Sequence, residues 1–244
     1  MQISLTKKLA EAIGVKLTVS DKEINQLFCW TANWTNTFDN RKEDLVVLVN
    51  NATRFTVAIY GIKKNQFKDI NIKIIAAIRN TFAELNINPE IIDEYLTLAS
   101  DIEYRANTDR KLTAWVNSQG RDAAFFIGNE IYNSYEKIKY NDTIGAIIGY
   151  RIVNYSKSFE ESFKPAEKMI KALSSLTNKP IYNYRAFEIL ITLDLEIYKA
   201  TRKLIVPTNI KLEKLHSLIQ EVFKWRNCHL YCFEIYEEGI LTML

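Results

Sequence analysis

LVVLVNNATRFTVAIY, residues 45–60, consists of two runs of β-branched and apolar residues separated by Asn50-Asn51-Ala52-Thr53. Val and Ile suit a pleated, half-buried surface, and Asn tolerates the left-handed backbone of a tight turn. A hairpin with strands at 45–49 and 54–60 is therefore expected. After Gly61 the period changes: Ile74, Ile75, Ile78, Phe82 and Leu85 recur at helical spacing, which predicts a helix from Asp69 to Asn86. Asn88-Pro89-Glu90 then supplies a cap and a proline at the first helical position, with Ile91, Ile92, Tyr95 and Leu96 turned inward. A third helix is expected after Thr108, stopping near Gly120.

Farther along, apolar patches at 123–127 and 144–150 suit helix or strand equally. GAIIG at 145–149 has the GxxxG spacing of membrane helix pairs but lies in no apolar 20-mer. Residues 157–175 mix charges with Phe159, Phe163, Met169, Ile170 and Leu173 as an amphipathic helix, broken or started at Pro165. SSLTNKP, 174–180, is small, polar and ended by proline, the composition of a linker. Beyond it, Phe187, Ile189, Ile191 and Leu193 alternate as a strand, and Lys203 to Val206 form another that closes at Pro207. Leu212, Leu215, Ile219, Val222 and Phe223 mark one helix face, and His229 to Tyr236 resume strand. The expected class is α+β: a hairpin-plus-helices domain at 1–173, a linker at 174–180, and a small β-β-α-β, β-grasp-like domain at 181–244.

The 244 residues are 48% hydrophobic and 25% charged, with a net charge of +3 and no run of five like charges, so bulk charge favours no partner class. Beyond residue 180, eight Lys and Arg balance eight Asp and Glu. MQISLTKKLAEAIGVKL lacks the apolar core of a secretory signal, and no window approaches a membrane span, so a cytoplasmic location is expected. Three cysteines, two of them crowded together, suit a reducing compartment. The sequons at Asn33, Asn51, Asn141 and Asn154 are then chance products of an Asn-rich chain.

Cys228-His229-Leu230-Tyr231-Cys232 is the one stretch that resembles a metal or redox motif. On a strand, Cys228 and Cys232 face away from His229, and the remaining ligand candidates, Cys29 and His216, are distant in sequence. Redox pairs use C-x-x-C, which is missing. The two cysteines therefore read as small buried strand residues, with no metal and no cofactor. Nucleophile-elbow, dinucleotide, phosphate-loop and zincin motifs are all missing from the sequence, and the chain has seven glycines and two histidines.

Two family resemblances follow from these residues. The runs YRAFEILITLDL and RKLIVPTNIKLEKLHSLIQEVFKWRNCHLYCFEI resemble the first half of the pRiA-type plasmid open-reading-frame-three-like family, in strand, helix with L-x-x-L-H-x-x-I-Q, then F-x-W and H-L. Arg202, Val206, Pro207, Leu212, Leu215, His216, Ile219, Gln220, Phe223, Trp225, His229, Leu230 and Phe233 carry the match, and Thr201 stands where that family has Trp. The sequence stops at Leu244, ahead of that family's second half. The resemblance thus implies a truncated domain with an uncovered sheet edge, open to a homo-oligomer or another protein. Thr6 to Ala10, Trp30 to Asn33, Arg41-Lys42, Val47 to Asn50, Thr53-Arg54 and Ile87 to Leu96 are similar to a bacterial family of unknown function with the patterns W-H-A-N and V-L-V-N-x-x-T-R. Thr31 replaces its His.

These resemblances imply a mobile-element setting and a non-enzymatic binding or accessory protein, associated with nucleic acid. Its candidate binding residues are Trp30, Asn33, Arg41, Lys42, Asn50 and Arg54, which with Trp34 would interleave aromatics and bases on the hairpin. The competing reading is that they cap the sheet and fill its core, where Trp is mostly buried. Two other functions stay open: a protein-interaction module using an exposed sheet edge, and an enzyme centred on His216 and His229 with Glu213 or Glu234.

Overall fold

The hairpin of residues 45–60 forms, but its turn is made differently from the expectation. The computed structural model describes residues 1–17, 24–37, 41–133, 140–154, 162–183, 185–228, 230–237 and 240–243. In it β1 is Gln2–Leu5, α1 Lys7–Ile13, β2 Cys29–Thr35, β3 Leu45–Asn50 and β4 Thr56–Tyr60. Asn50 keeps strand backbone and acts through its side chain: its Oδ1 accepts from Ala52 N (3.1 Å), Thr53 N (3.1 Å) and Thr53 Oγ1 (3.0 Å). Arg54 takes the left-handed conformation, φ 60°. The amide of Asn50 organises the loop, so the residue paying for the turn's geometry lies four positions later.

Helix α2 (Ile70–Glu84) and α3 (Pro89–Leu98) follow the predicted periodicity, with Asn88 Oδ1 accepting from Glu90 N at 3.1 Å. Then come β5 (Glu103–Ala106), α4 (Arg110–Asn133), α5 (Tyr140–Gly149), β6 (Val153–Asn154), β7 (Ser162–Phe163) and α6 (Pro165–Ser174). The expected stop of the third helix near Gly120 does not occur. A glycine ends a helix by turning left-handed, whereas among the described residues the positive-φ glycines are Gly14 and Gly61. Gly120 instead seats α4 on the sheet, where an added Cβ would lie 3.5 Å from Thr35 Cγ2.

The sheet order is β4-β3-β2-β1-β5, with β1 parallel to both β2 and β5 and the remaining pairs antiparallel. The sequence reading placed only β3 and β4. One face, carrying Ile3, Leu5, Trp30, Ala32, Val46 and Leu48, is buried with residues of α1, α2, α3 and α6. The opposite face carries Leu45, Val47, Val49 and Ala58 and packs with Val116, Ala123 and Ile127 of α4 and Ile144 and Ile148 of α5. In α5 the GAIIG pair serves close soluble packing: a Cβ on Gly145 would lie 2.7 Å from Thr56 O, and one on Gly149 2.7 Å from Phe55 Cε2.

Residues 1–183 form one unit and 184–244 a second. The stretch expected to be a linker, 174–180, is tied into the first unit. Asn88 Nδ2 donates to Pro180 O (3.2 Å), Lys179 pairs with Glu90 (2.8 Å), and Ile87 bridges Tyr182. The second unit has β8 (Ala186–Leu195) and β9 (Tyr198–Pro207), α7 (Leu212–Val222), β10 (Glu234–Glu237) and β11 (Ile240–Met243). β10 pairs with β11, and β8 with β9, as separate two-stranded sheets. The strand expected from His229 begins only at Glu234, because residues 230–233 lie along α7, with Tyr231 stacked on His216 at 3.4 Å. His229 is outside the described residues. No helix among the described residues is long and apolar enough to cross a membrane.

Candidate nucleic-acid interface

The end of α7 builds a groove. Lys224 is left-handed (φ 57°), its N–H donating to Glu221 O (3.1 Å) while Trp225 N–H donates to Gln220 O (2.8 Å). This is the paired-bond ending usually closed by glycine. A second left-handed residue, Asn227 (φ 50°), turns the chain back over the helix. Its N–H donates to Gln220 Oε1 (3.1 Å), and its side chain pairs with His216 Nε2 at 2.8 Å. The H and Q of L-x-x-L-H-x-x-I-Q therefore hold one asparagine in place. Arg202 Nε donates to Val222 O (3.4 Å) and its guanidinium lies 5.2 Å over Phe223, which stacks on Trp225 at 5.2 Å.

The returning segment and α7 enclose a cavity of about 700 Å³. Trp225, Tyr231 and Phe233 give it aromatic surface, Lys224 and Arg226 give it positive charge, and among the described residues no Asp or Glu lines it. Trp225 and Tyr231 are 45% and 50% exposed, so their rings are available to a ligand. Cys228 and Cys232 also line the cavity and are exposed, contrary to the expectation of buried strand cysteines, since the segment is not a strand. Among the described residues no group of three or more His, Cys, Asp or Glu could hold a metal ion. His216 is buried and met by an amide and a ring.

The N-terminal candidates are dispersed. Trp30 is fully buried, its Nε1 donating to Tyr95 Oη (3.0 Å), which donates to Leu27 O (2.9 Å). Burial pushes the Tyr95 phenol well above its ordinary range, keeping it a neutral donor. Asn50 is equally buried, its Nδ2 donating to Leu27 O at 2.8 Å. Arg54 is buried against the Trp115 ring at 4.6 Å. Arg41 and Lys42 lie exposed on a bend before β3, and Asn33 lines a separate cavity between β2 and α4. Trp30 and Asn50, held in the interior, cannot stack on or grip an external strand.

A family model described as Domain of unknown function (DUF6933) matches residues 2–168. The chain belongs to the DUF6933 family. A second model, Plasmid pRiA4b ORF-3-like protein, matches residues 185–242. No curated protein matches the chain. The DUF6933 match falls within the first structural unit and the plasmid match within the second, and together they fit an accessory protein of mobile-element type. The groove lies in the plasmid-type segment. Sequence reasoning found His216 and Trp225 but missed Lys224, Arg226 and Tyr231. Their signal was legible as K-W-R followed by L-Y, aromatics interleaved with bases, the pattern sought instead on the DUF6933 hairpin.

Proposed function

We propose that the chain is a non-enzymatic accessory protein whose plasmid-type unit binds single-stranded nucleic acid in the groove beside α7. One observation carries the reading: in a unit of balanced charge, a groove of about 700 Å³ collects exposed aromatic rings and two cations, with no carboxylate among its described lining residues. Bases stack on Trp225 and Tyr231, and phosphates sit against Lys224 and Arg226. Arg202 and His216 act as positioning residues that fix the helix end and the returning loop.

The test is anisotropy of a labelled oligothymidylate titrated with the whole chain at several salt concentrations. Trp225→Ala should weaken binding by about 5- to 150-fold, the worth of ~1–3 kcal/mol of stacking per base. Two phosphate contacts give a log–log salt slope near −1.4, from roughly −0.7 per contact on single strands. Affinity insensitive to salt, or unchanged in Trp225→Ala, sinks the reading.

A second reading, a strand-addition module, is favoured by the β8–β9 hairpin. Leu190, Ile197 and Ile205 on it are all more than two-thirds exposed, and its ten-residue strands pair only with each other among the described residues. β9 carries Lys199, Arg202 and Lys203, so two copies paired through it would oppose like charges. An acidic partner strand fits better than a homo-oligomer. Sedimentation up to about 0.5 mM chain that shows monomer throughout agrees with that preference.

A further inference from the structure

The DUF6933 sheet has one face that changes character halfway across. Over β3 and β4 it is apolar beneath α4 and α5. Over β2, β1 and β5 the register places Cys29, Thr31 and Asn33 beside Gln2 and Ser4, and these beside Glu103 and Arg105. A half-covered sheet is expected to be apolar where buried and polar where wet. Here Gln2 and Thr31 are 8% and 1% exposed. At the β1–β5 end, Gln2 Nε2, Glu103 Oε2, and Arg105 Nε and Nη2 are shielded from water without a hydrogen-bond partner. Each such atom costs about 1–3 kcal/mol, and more when charged. Four of them in adjoining register positions mark a surface furnished for more than packing.

At its other end this polar half opens into a cavity of about 370 Å³ between β2 and α4. Asn33, Thr35 and Asn36 line one side, and Asn117 and Arg121 the other. Asn33 is fixed from three directions. Its Oδ1 accepts from Thr6 Oγ1 (2.8 Å) and Trp34 N (2.9 Å), and its Nδ2 donates to Asn117 Oδ1 (2.9 Å). That last bond orients the Asn117 amide so that its N–H groups remain as donors. Among the described residues Arg121 is the only charged side chain in the lining. Among the described residues the set is rich in donors, singly positive and without an aromatic ring, unlike the groove beside α7.

We propose that this polar half-face is a ligand site of the DUF6933 unit and takes a small hydroxylated anion. The anionic oxygens meet Arg121 and the Asn117 amide, and the hydroxyls meet Thr35 and Asn36. The chemistry is shared by sugar phosphates and sugar acids, so ribose 5-phosphate and D-gluconate are the two probes. Ribose and inorganic phosphate alone separate the hydroxyl contribution from the anionic one.

The experiment follows the side-chain amide signals of Asn33, Asn36 and Asn117 in the ¹⁵N-labelled whole chain during titration. At least one probe should shift them saturably below about 10 mM, while ribose or phosphate alone binds more weakly. Arg121→Met and Asn117→Asp, both at exposed positions, should each weaken binding by about tenfold or more, the size of one lost charge-assisted bond. Trp225→Ala should leave it unchanged, which keeps this site distinct from the groove. Signals unmoved by both probes, or shifts that persist in both variants, overturn the proposal.

Discussion

Gly145 shows how much of the packing hangs on a missing side chain. Its Cα faces Thr56 O and Thr81 Cγ2, and a methyl there would meet both at 2.7 Å. Thr56 O belongs to the β4 backbone and cannot swing aside as a side-chain end would. Gly145→Ala, normally a gain in helix propensity, should instead cost about 1–3 kcal/mol through overpacking, read as a lower urea midpoint at unchanged slope. The glycine spacing was visible in the sequence, but its meaning was not, because the partner surface comes from residues some 90 and 60 positions earlier. Trp30 teaches the reverse. Trp30, Ala32 and Trp34 alternate with Cys29, Thr31, Asn33 and Thr35, a strand signature that was legible but was weighed as a nucleic-acid motif. Its burial beside Tyr95 is tertiary information that no local pattern carries.

The C-terminal end of α7 is where stability and the proposed function part. Lys224 occupies the left-handed position after the cap, which glycine fills at less cost. Lys224→Gly should therefore stabilise the unit by about 0.5–1 kcal/mol while weakening oligothymidylate binding, measured by melting and anisotropy on the same sample. If the variant binds as well as the parent, Lys224 is not a phosphate contact. Helices α2, α3 and α7 were readable because each carries a long apolar stripe. β1 and β5 were not, since four residues such as QISL and EYRA are too few to establish a period. The strand expected from His229 failed for another reason: an apolar, aromatic run can be spent on stacking against a helix as readily as on a ladder.

For the whole molecule, the α+β class and the two family resemblances came from the sequence, whereas the boundary between units is set by contacts that a composition shift does not reveal. SSLTNKP has a linker's composition but is held by Asn88 and Glu90, and Ile87 bridges Tyr182 just beyond it. A fragment ending at Asn183 should unfold in one cooperative transition. A fragment ending at Leu173 loses the Asn88 N to Ile181 O bond (2.8 Å), the Lys179 pair and the packing of Leu176 and Ile181. It should be less stable by about 2–4 kcal/mol in urea melts. Equal midpoints for the two fragments would return the boundary to the composition shift.

The place of β1 has a consequence for synthesis. Its residues leave the ribosome before those of the other strands of the sheet, yet β1 lies between β2 and β5, and its partner Glu103 follows Gln2 by roughly a hundred residues. At about 5–20 residues per second, the opening strand waits some 5–20 s for that neighbour. Closing so long a loop costs on the order of 4 kcal/mol of chain entropy. The β2–β3–β4 meander, joined by short local loops, can form in that interval, leaving Gln2 to Leu5 as the slot-in strand whose arrival on both sides completes the sheet.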